Sequence, residues 1–275
     1  MTNKKNLWLS GPYLIWIAGF IILPLFTIVY YAFTEKRGGF TLENILAALS
    51  DTANLKALGL TLLLAASATL IGLALAYPLA ICLSKLKIKQ KNFIIFLFIL
   101  PMWMNFMLQM VAINVILEDN GLINSVLNML GLKSVHIANT YTAILIGMVY
   151  DYFPFMLLPI YNTVSSIDKD LLNASRDLGA NPVKTFFKVS LPLSMPGIIS
   201  GATMVFIPAI SDFAIAEMLG GGKIMLIGNV VEMNFTKGHY NTGSGLALLL
   251  MVFVVVSSLL TDSKKEDEAQ GGIVL

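Results

Sequence analysis

The sequence predicts an all-α integral membrane protein with six transmembrane helices. Hydrophobic residues make up 57% of the 275-residue chain and charged residues only 12%, and the mean hydropathy is +0.79. Soluble domains carry about 25% charged residues, so this composition excludes a soluble globular domain. A helix needs about 20 apolar residues to cross a bilayer. Six segments meet that requirement: 11–33, 57–84, 92–117, 140–163, 194–216 and 242–261.

The first segment is expected to be a retained helix rather than a signal peptide. It follows Lys4 and Lys5, but it is too long for a signal-peptide core and lacks a small-x-small cleavage site. Residues 1–261 are expected to form one transmembrane domain, because no internal repeat and no second domain is visible in them. The charged tail, 262–275, is expected to be disordered.

Basic residues are divided unequally between the two sides of the membrane. One side holds both termini, the 85–91 loop and the 165–192 loop, and it carries twelve of the eighteen Lys and Arg residues. Cytoplasmic loops carry an excess of Lys and Arg, so both termini and the 165–192 loop are expected to be cytoplasmic. The other side holds the remaining six: Lys36, Arg37, Lys56, Lys133, Lys223 and Lys237.

The 165–192 loop has the signals of two short helices that meet at a glycine. Asp168 and Asp170 place negative charge at a helix start. Gly179 suits a left-handed C-cap, and Pro182 stops the helix from continuing unchanged. A second helix is expected to start over 183–191. On these grounds alone the loop is either a knob that inserts into a partner or an ordinary amphipathic loop at the membrane surface.

A spaced motif within this loop resembles the cytoplasmic "EAA" loop of ABC-importer permeases, E-A-A-x3-G-x9-I-x-L-P. The matching residues are Asn173-Ala174-Ser175, Gly179 and Val189-x-Leu191-Pro192, with Asn, Ser and Val replacing Glu, Ala and Ile. The resemblance implies an ABC-importer permease fold in which this coupling-helix loop docks onto an ATPase. The docking residues that it implies are Asn173, Ala174, Ser175, Asp177, Leu178, Gly179 and Ala180.

Other stretches are similar to spermidine/putrescine-type permeases of the bacterial inner membrane. They are 100–106, 147–159, 206–209, 219–222 and 227–229, so the resemblance covers about 60–261. It implies a heteromeric complex with a second permease subunit, two copies of an ATPase and an extracytoplasmic substrate-binding protein that delivers a polyamine. Gln109 and Val111 stand where such permeases often carry Arg and Tyr, which leaves the exact substrate open.

The chain shows no nucleotide site and no metal site of its own. A phosphate-binding loop needs G-x-x-x-x-G-K-[ST], but Gly222-Lys223 is followed by Ile224 and the 179–185 stretch lacks the second Gly. His136 and His239 fall in separate loops. We therefore expect a transport subunit rather than an enzyme, without a cofactor, and with ATP hydrolysis on another chain.

Acidic residues inside the spans point to a path for a cationic solute. Asp151 falls near the middle of the fourth span, and Asp212 and Glu217 fall near the outer end of the fifth. A carboxylate at the bilayer centre costs about 2.5–3.5 kcal/mol on insertion scales, so it normally faces a partner or a water-filled path. Aromatic faces can add cation–π contacts. The candidate substrate path is Trp103, Asp151, Tyr152, Asp212, Phe213 and Glu217.

Alternatives remain open for each of these residues and for the whole chain. Asp151 can instead form a helix–helix hydrogen bond, and Glu217 can lie exposed at the membrane interface. The chain can be an importer permease for another solute, although acids without intramembrane Lys or Arg disfavour an anion. A membrane sensor or scaffold is a second class. A secondary carrier is disfavoured because no internal repeat is visible.

Overall fold

The computed structural model describes residues 4–35 and 38–271, and within them the side chains of 4–10, 88–92 and 260–271 are not described. Regular structure in these residues is helical, apart from one isolated antiparallel bridge between Thr34 and Phe40. The predicted all-α class is therefore confirmed. The described residues belong to two compact units, Met1–Ala57 with Val230–Val255, and Leu58–Asn229 with Val256–Leu275.

The first unit is built around the end of its N-terminal helix. Helices α1 (Lys4–Ile17) and α2 (Leu23–Ala32) are joined by a π-helical turn, and α3 (Glu43–Ser50) follows. The last carbonyls of a helix have no intrahelical partner. Asn44 donates its amide to the carbonyls of Ala32 and Thr34, at 3.1 Å each, and Asn241 donates to Tyr31 at 3.2 Å. These amides hold the end of α2 in place.

The second unit contains the longer run of helices. They are α4 (Thr52–Lys85, from Leu58 onward), α5 (Ile88–Ile99), α6 (Phe106–Leu117), α7 (Leu122–Met129), α8 (Tyr141–Ser166), α9 (Lys169–Asp177), α10 (Pro182–Thr185), α11 (Leu191–Ser211), α12 (Ala214–Leu219) and the start of α13 (Ile227–Thr236). The last helix of the chain, α14 (Tyr240–Gly271), contributes residues to both units.

Helices α8 and α11 form the main helix pair of the second unit, and small residues let them approach closely. A Cβ atom on Gly197 would meet the Pro159 carbonyl at 2.8 Å, and one on Gly201 would meet the Met156 carbonyl at 3.0 Å. Membrane helices pack through such small residues because lipid provides no hydrophobic drive for their association. The pair forms the rigid support for the site described below.

Six helical segments of the described residues are long and apolar enough to cross a membrane, as the sequence predicts. They are Gly11–Ala32, Thr52–Lys85, Phe106–Met129, Tyr141–Ser166, Pro182–Ser211 and Tyr240–Leu259. The bounds of the third and fifth differ from the predicted 92–117 and 194–216.

The third predicted span is interrupted near its middle. Helix α5 ends at Ile99, a 3-10 turn covers Leu100–Trp103, and the backbone is extended at Met104 and Asn105. The Asn105 side chain then accepts the Leu108 N–H at 3.2 Å and starts α6 as its N-cap. Pro101 and Asn105 lie at this break, but hydropathy averaged over about 20 residues does not register them and predicts one continuous span.

The fifth span starts earlier and ends earlier than predicted. Helix α10 continues through a π-helical stretch, Phe186–Ser190, into α11 without a break. Helix α11 ends at Ser211 because Asp212 takes an extended backbone conformation. At the C-terminus, α14 continues to Gly271, past the expected start of a disordered tail at 262. Residues 272–275 lie outside the described residues.

Candidate functional site

The predicted docking loop is shaped by caps on its two short helices. Asp168 accepts the Asp170 N–H at 3.0 Å and begins α9. After α9, Gly179 has a φ of +78°, a left-handed conformation that favours glycine. Asn181 then accepts the Lys184 N–H at 2.8 Å, with Pro182 at the start of α10. The capping Asp, the left-handed Gly and the helix break before Pro182 agree with the sequence analysis.

Helices α9 and α10 are joined by a side-chain hydrogen bond. The hydroxyls of Ser175 and Thr185 lie 2.9 Å apart, and Thr185 is buried. The two helices are thereby held at a fixed distance, so the loop is an ordered surface.

This surface is concave, with a groove of about 690 Å³. The groove is lined by five of the predicted docking residues and by the residues that lead into α11: Leu171, Ala174, Ser175, Leu178, Gly179, Ala180, Lys184, Lys188, Val189, Pro192 and Leu193. Leu178 is 88% exposed, while the exposed Asn173 and Asp177 lie outside the groove lining. The loop is therefore not simply a convex protrusion. Its small-residue face forms a groove, and the Leu178 side chain in the groove lining is largely exposed.

A second polar site lies where α11 gives way to α12, at residues 211–213, hereafter the α11–α12 junction. The Tyr152 hydroxyl on α8 donates to Asp212 Oδ2 at 2.5 Å. The other oxygen, Oδ1, accepts the Ile215 N–H at 2.9 Å and caps α12. One carboxylate thus fixes the start of α12 and ties it to α8.

Neutral groups hold the same junction from the start of α13, which is itself bonded to α4. The Asn229 amide donates to the Phe213 carbonyl at 2.8 Å, and its oxygen accepts the Leu226 N–H at 3.1 Å. Thr61 accepts the Ile227 N–H at 2.9 Å. A Cβ atom on Gly228 would come within 2.8 Å of the Asp212 carbonyl. Sequence reasoning did not assign roles to Asn229 or Thr61, although Asn229 lies within one of the stretches that resemble known permeases.

The structure brings together some of the predicted path residues and separates others. Asp151, half-buried on α8, directly precedes Tyr152, whose hydroxyl bonds to Asp212. Phe213, 41% exposed, follows directly in the junction. Glu217 is exposed on α12. Trp103 is 78% exposed and packs edge-to-face on Phe96 at 6.1 Å, and no described contact joins it to the acids.

The histidines show no metal-site geometry. His136 Nδ1 lies 2.7 Å from Asp119 Oδ1 in an exposed pair. In the part of the chain that the structure describes, no three His, Cys, Asp or Glu residues cluster in a way that could hold a metal ion.

Six candidate spans, an ordered helix-glycine-helix loop and an acidic junction between helices define a multi-pass membrane transport component. The chain belongs to the family of binding-protein-dependent transport system inner membrane components, whose model matches residues 68–263. The chain is therefore a multi-pass inner membrane protein and a transport subunit rather than an enzyme.

Relatives with sequence similarity over most of the chain carry a more specific description. The spermidine/putrescine transport system permease protein PotB of Haemophilus influenzae is 35% identical over 250 residues, covering 88% of this chain and 87% of that protein. The Escherichia coli (strain K12) protein of the same name is 37% identical over 228 residues, covering 80% and 82%.

A solved structure has the same fold. It is a bacterial alginate ABC transporter in complex with an alginate pentasaccharide-bound periplasmic protein. One chain of it matches with a TM-score of 0.74 and 16% identity, over 94% of this chain and 93% of that chain. At this identity the likeness establishes the shared fold and nothing about the solute.

Proposed function

We propose that this chain is the permease subunit of an ATP-driven ABC importer for polyamines such as spermidine and putrescine. The observation that carries the proposal is the similarity to spermidine/putrescine permeases at 35–37% identity over at least 80% of the chain. The half-buried carboxylates of Asp151 and Asp212 support it independently, because a polyamine is a flexible polycation.

The proposed complex contains a second permease subunit, two copies of an ATPase and an extracytoplasmic substrate-binding protein. The ATPase docks on the groove between α9 and α10, where exposed apolar and small residues meet two lysines. An exposed apolar patch of this kind is typical of a protein–protein contact. The excess of Lys and Arg on the same side as this loop supports a cytoplasmic position for the groove and for both termini.

Transport proceeds by alternating access. ATP-driven closure of the ATPase pair moves the docked loop, and α10 transmits this movement because it continues through Phe186–Ser190 into α11. The far end of α11 is the α11–α12 junction, which carries Asp212. A single helical segment, Pro182–Ser211, thus runs from the groove to the acidic site.

The acidic site has the chemistry that an ammonium group requires. Asp151 and Asp212 supply negative charge, and the C-terminal end of α11 adds the partial negative charge of its free carbonyls. Phe213 is exposed beside them and offers an aromatic face for a cation–π contact. The binding must stay moderate, because a site on a transport path has to release its cargo.

The test is uptake of radiolabelled spermidine and putrescine by cells that express the whole complex and lack other polyamine importers. Asp151→Asn keeps the shape of the side chain and removes its charge, and we expect uptake at low substrate concentration to fall about tenfold, the equivalent of about 1.4 kcal/mol. Glu43→Gln, an exposed carboxylate on α3, is the matched control and should transport normally. Equal uptake by Asp151→Asn and the control would contradict the cationic-path proposal.

A further inference from the structure

The Tyr152–Asp212 hydrogen bond links two parts of the second unit that are far apart in sequence. Tyr152 is only 7% exposed, and its hydroxyl lies 2.5 Å from Asp212 Oδ2. Tyr152 belongs to the continuous helix α8, whereas Asp212 lies in the non-helical α11–α12 junction. The bond therefore fixes the junction to a rigid helix.

The same carboxylate controls the position of α12. Asp212 Oδ1 accepts the Ile215 N–H at 2.9 Å, so α12 must follow any movement of the Asp212 side chain. On its other side α12 packs on α8, where a Cβ atom on Gly147 would come within 2.9 Å of Ile215 Cγ2. The Asp212 carboxylate thus contacts both helices: Oδ2 bonds to Tyr152 on α8, and Oδ1 bonds to the first turn of α12.

The bond between Tyr152 and Asp212 is open to competition from a cation. A tyrosine hydroxyl is a neutral donor, whereas an ammonium group adds the attraction of a full positive charge to its hydrogen bond with the carboxylate. Asp151 is next to Tyr152 on α8, so it provides a second carboxylate for a cation that reaches Asp212. By contrast, the Asn229 amide reaches a backbone carbonyl, for which a cation gains no charge pairing.

We propose that the Tyr152–Asp212 hydrogen bond is a latch that the cationic substrate opens. An ammonium group takes the place of the Tyr152 hydroxyl on Asp212 Oδ2, with Asp151 as its second anion, and the junction loses its hydrogen bond to α8. Tyr152 keeps its proton throughout. The latch rests on the proposed function, because it requires a cationic substrate, and it explains how substrate arrival changes the helix arrangement rather than only filling a cavity.

Two substitutions are expected to hold the latch in opposite states, one open and one closed. Tyr152→Phe removes the hydroxyl and leaves the ring, so the latch is permanently open. Asp212→Asn keeps an oxygen to cap α12 and an amide that can still pair with the Tyr152 hydroxyl, but it does not attract an ammonium group, so the latch stays closed. A ligand shifts an equilibrium only through its different affinity for the two states, so the variants should fail in opposite ways.

The experiment measures ATP hydrolysis by the whole complex in proteoliposomes, with and without spermidine-loaded binding protein. We expect Tyr152→Phe to raise the basal rate, by about tenfold or more for the loss of one hydrogen bond to a carboxylate, and to reduce the stimulation by substrate. Asp212→Asn should keep the low basal rate and lose the stimulation. The control is Tyr150→Phe, which removes an exposed tyrosine hydroxyl two residues before Tyr152 on the same helix and should leave both rates unchanged.

Each outcome either supports or overturns the latch. Wild-type rates in Tyr152→Phe, or equal increases in Tyr152→Phe and Tyr150→Phe, would overturn the latch. If Tyr152→Phe does not assemble, Asp212→Asn decides alone, and full stimulation in that variant overturns the proposal. A wild-type complex that takes up neither spermidine nor putrescine would contradict the proposed function and the latch with it. A responsive wild type with unaltered variants contradicts the latch alone.

Discussion

Gly147 of α8 is packed directly against Leu219 of α12, with no room for a Cβ atom between them. Leu219 is fully buried, and Ile215, one turn earlier, lies against the same glycine. Because α12 is capped by Asp212, this contact determines how closely the Asp212 carboxylate can approach Tyr152. A residue without a side chain thus positions the acidic site.

Gly147→Ala should destabilise the permease and weaken transport. The added methyl group overpacks the contact, which costs about 1–3 kcal/mol, and pushes α12 away from α8. We expect a lower melting temperature of the purified complex and reduced spermidine uptake. Gly72→Ala on α4 is the control, because its Cβ would meet Met156 at an ordinary 3.8 Å. Identical melting temperatures for the two variants would show that the Gly147 contact is unimportant.

Gly179→Asp should reduce transport much more than it reduces assembly of the complex. Gly179 has a φ of +78° and open space around it, and any side chain there costs about 1–2 kcal/mol in backbone strain. Gly131, at φ +72° and also in open space, supplies the matched control Gly131→Asp with similar strain outside the docking loop. We expect Gly179→Asp to give a complex that forms at least in part but transports little. Gly131→Asp should transport nearly normally.

The readouts are co-purification of the ATPase and uptake of labelled spermidine, measured for both variants at equal expression. If Gly131→Asp loses as much transport as Gly179→Asp, the effect is backbone strain and the docking role of the loop is not supported.

Local signals in the sequence predict the helix ends of the 165–192 loop well. Asp168 as a helix start, Gly179 in a left-handed conformation and the break before Pro182 each depend on their immediate neighbours, and the structure shows all three. The six apolar spans depend on composition over about 20 residues, and their number is also confirmed.

Features that depend on distant residues could not be predicted. The hydrogen bond of Tyr152 joins residues sixty positions apart, and neither residue type signals its partner. The Asn105 cap that divides the third predicted span is local by contrast, but hydropathy averaged over about 20 residues does not register one polar residue. The groove at the 165–192 loop arises from the packing of α9 against α10, and the EAA-like motif gives no sign of it.

The orientation of the chain is tested by cysteine labelling in intact cells. The exposed Cys82 is first replaced by Ser, and single cysteines are then placed at Lys87, Lys184, Lys133 or Lys237, all exposed positions. Because each side chain is exposed, reaction with a membrane-impermeant thiol reagent reports the side of the membrane. We expect Lys133→Cys and Lys237→Cys to react and the other two to be protected. Labelling of Lys184→Cys from outside would contradict the cytoplasmic docking loop.

The most direct measurement is ATP-dependent accumulation of radiolabelled spermidine in proteoliposomes that contain this chain with its second permease subunit, ATPase and binding protein. We expect spermidine accumulation to require ATP and the binding protein. Putrescine should inhibit it, and an anionic oligosaccharide should not. An assembled complex that hydrolyses ATP but accumulates neither spermidine nor putrescine would contradict the proposed polyamine importer.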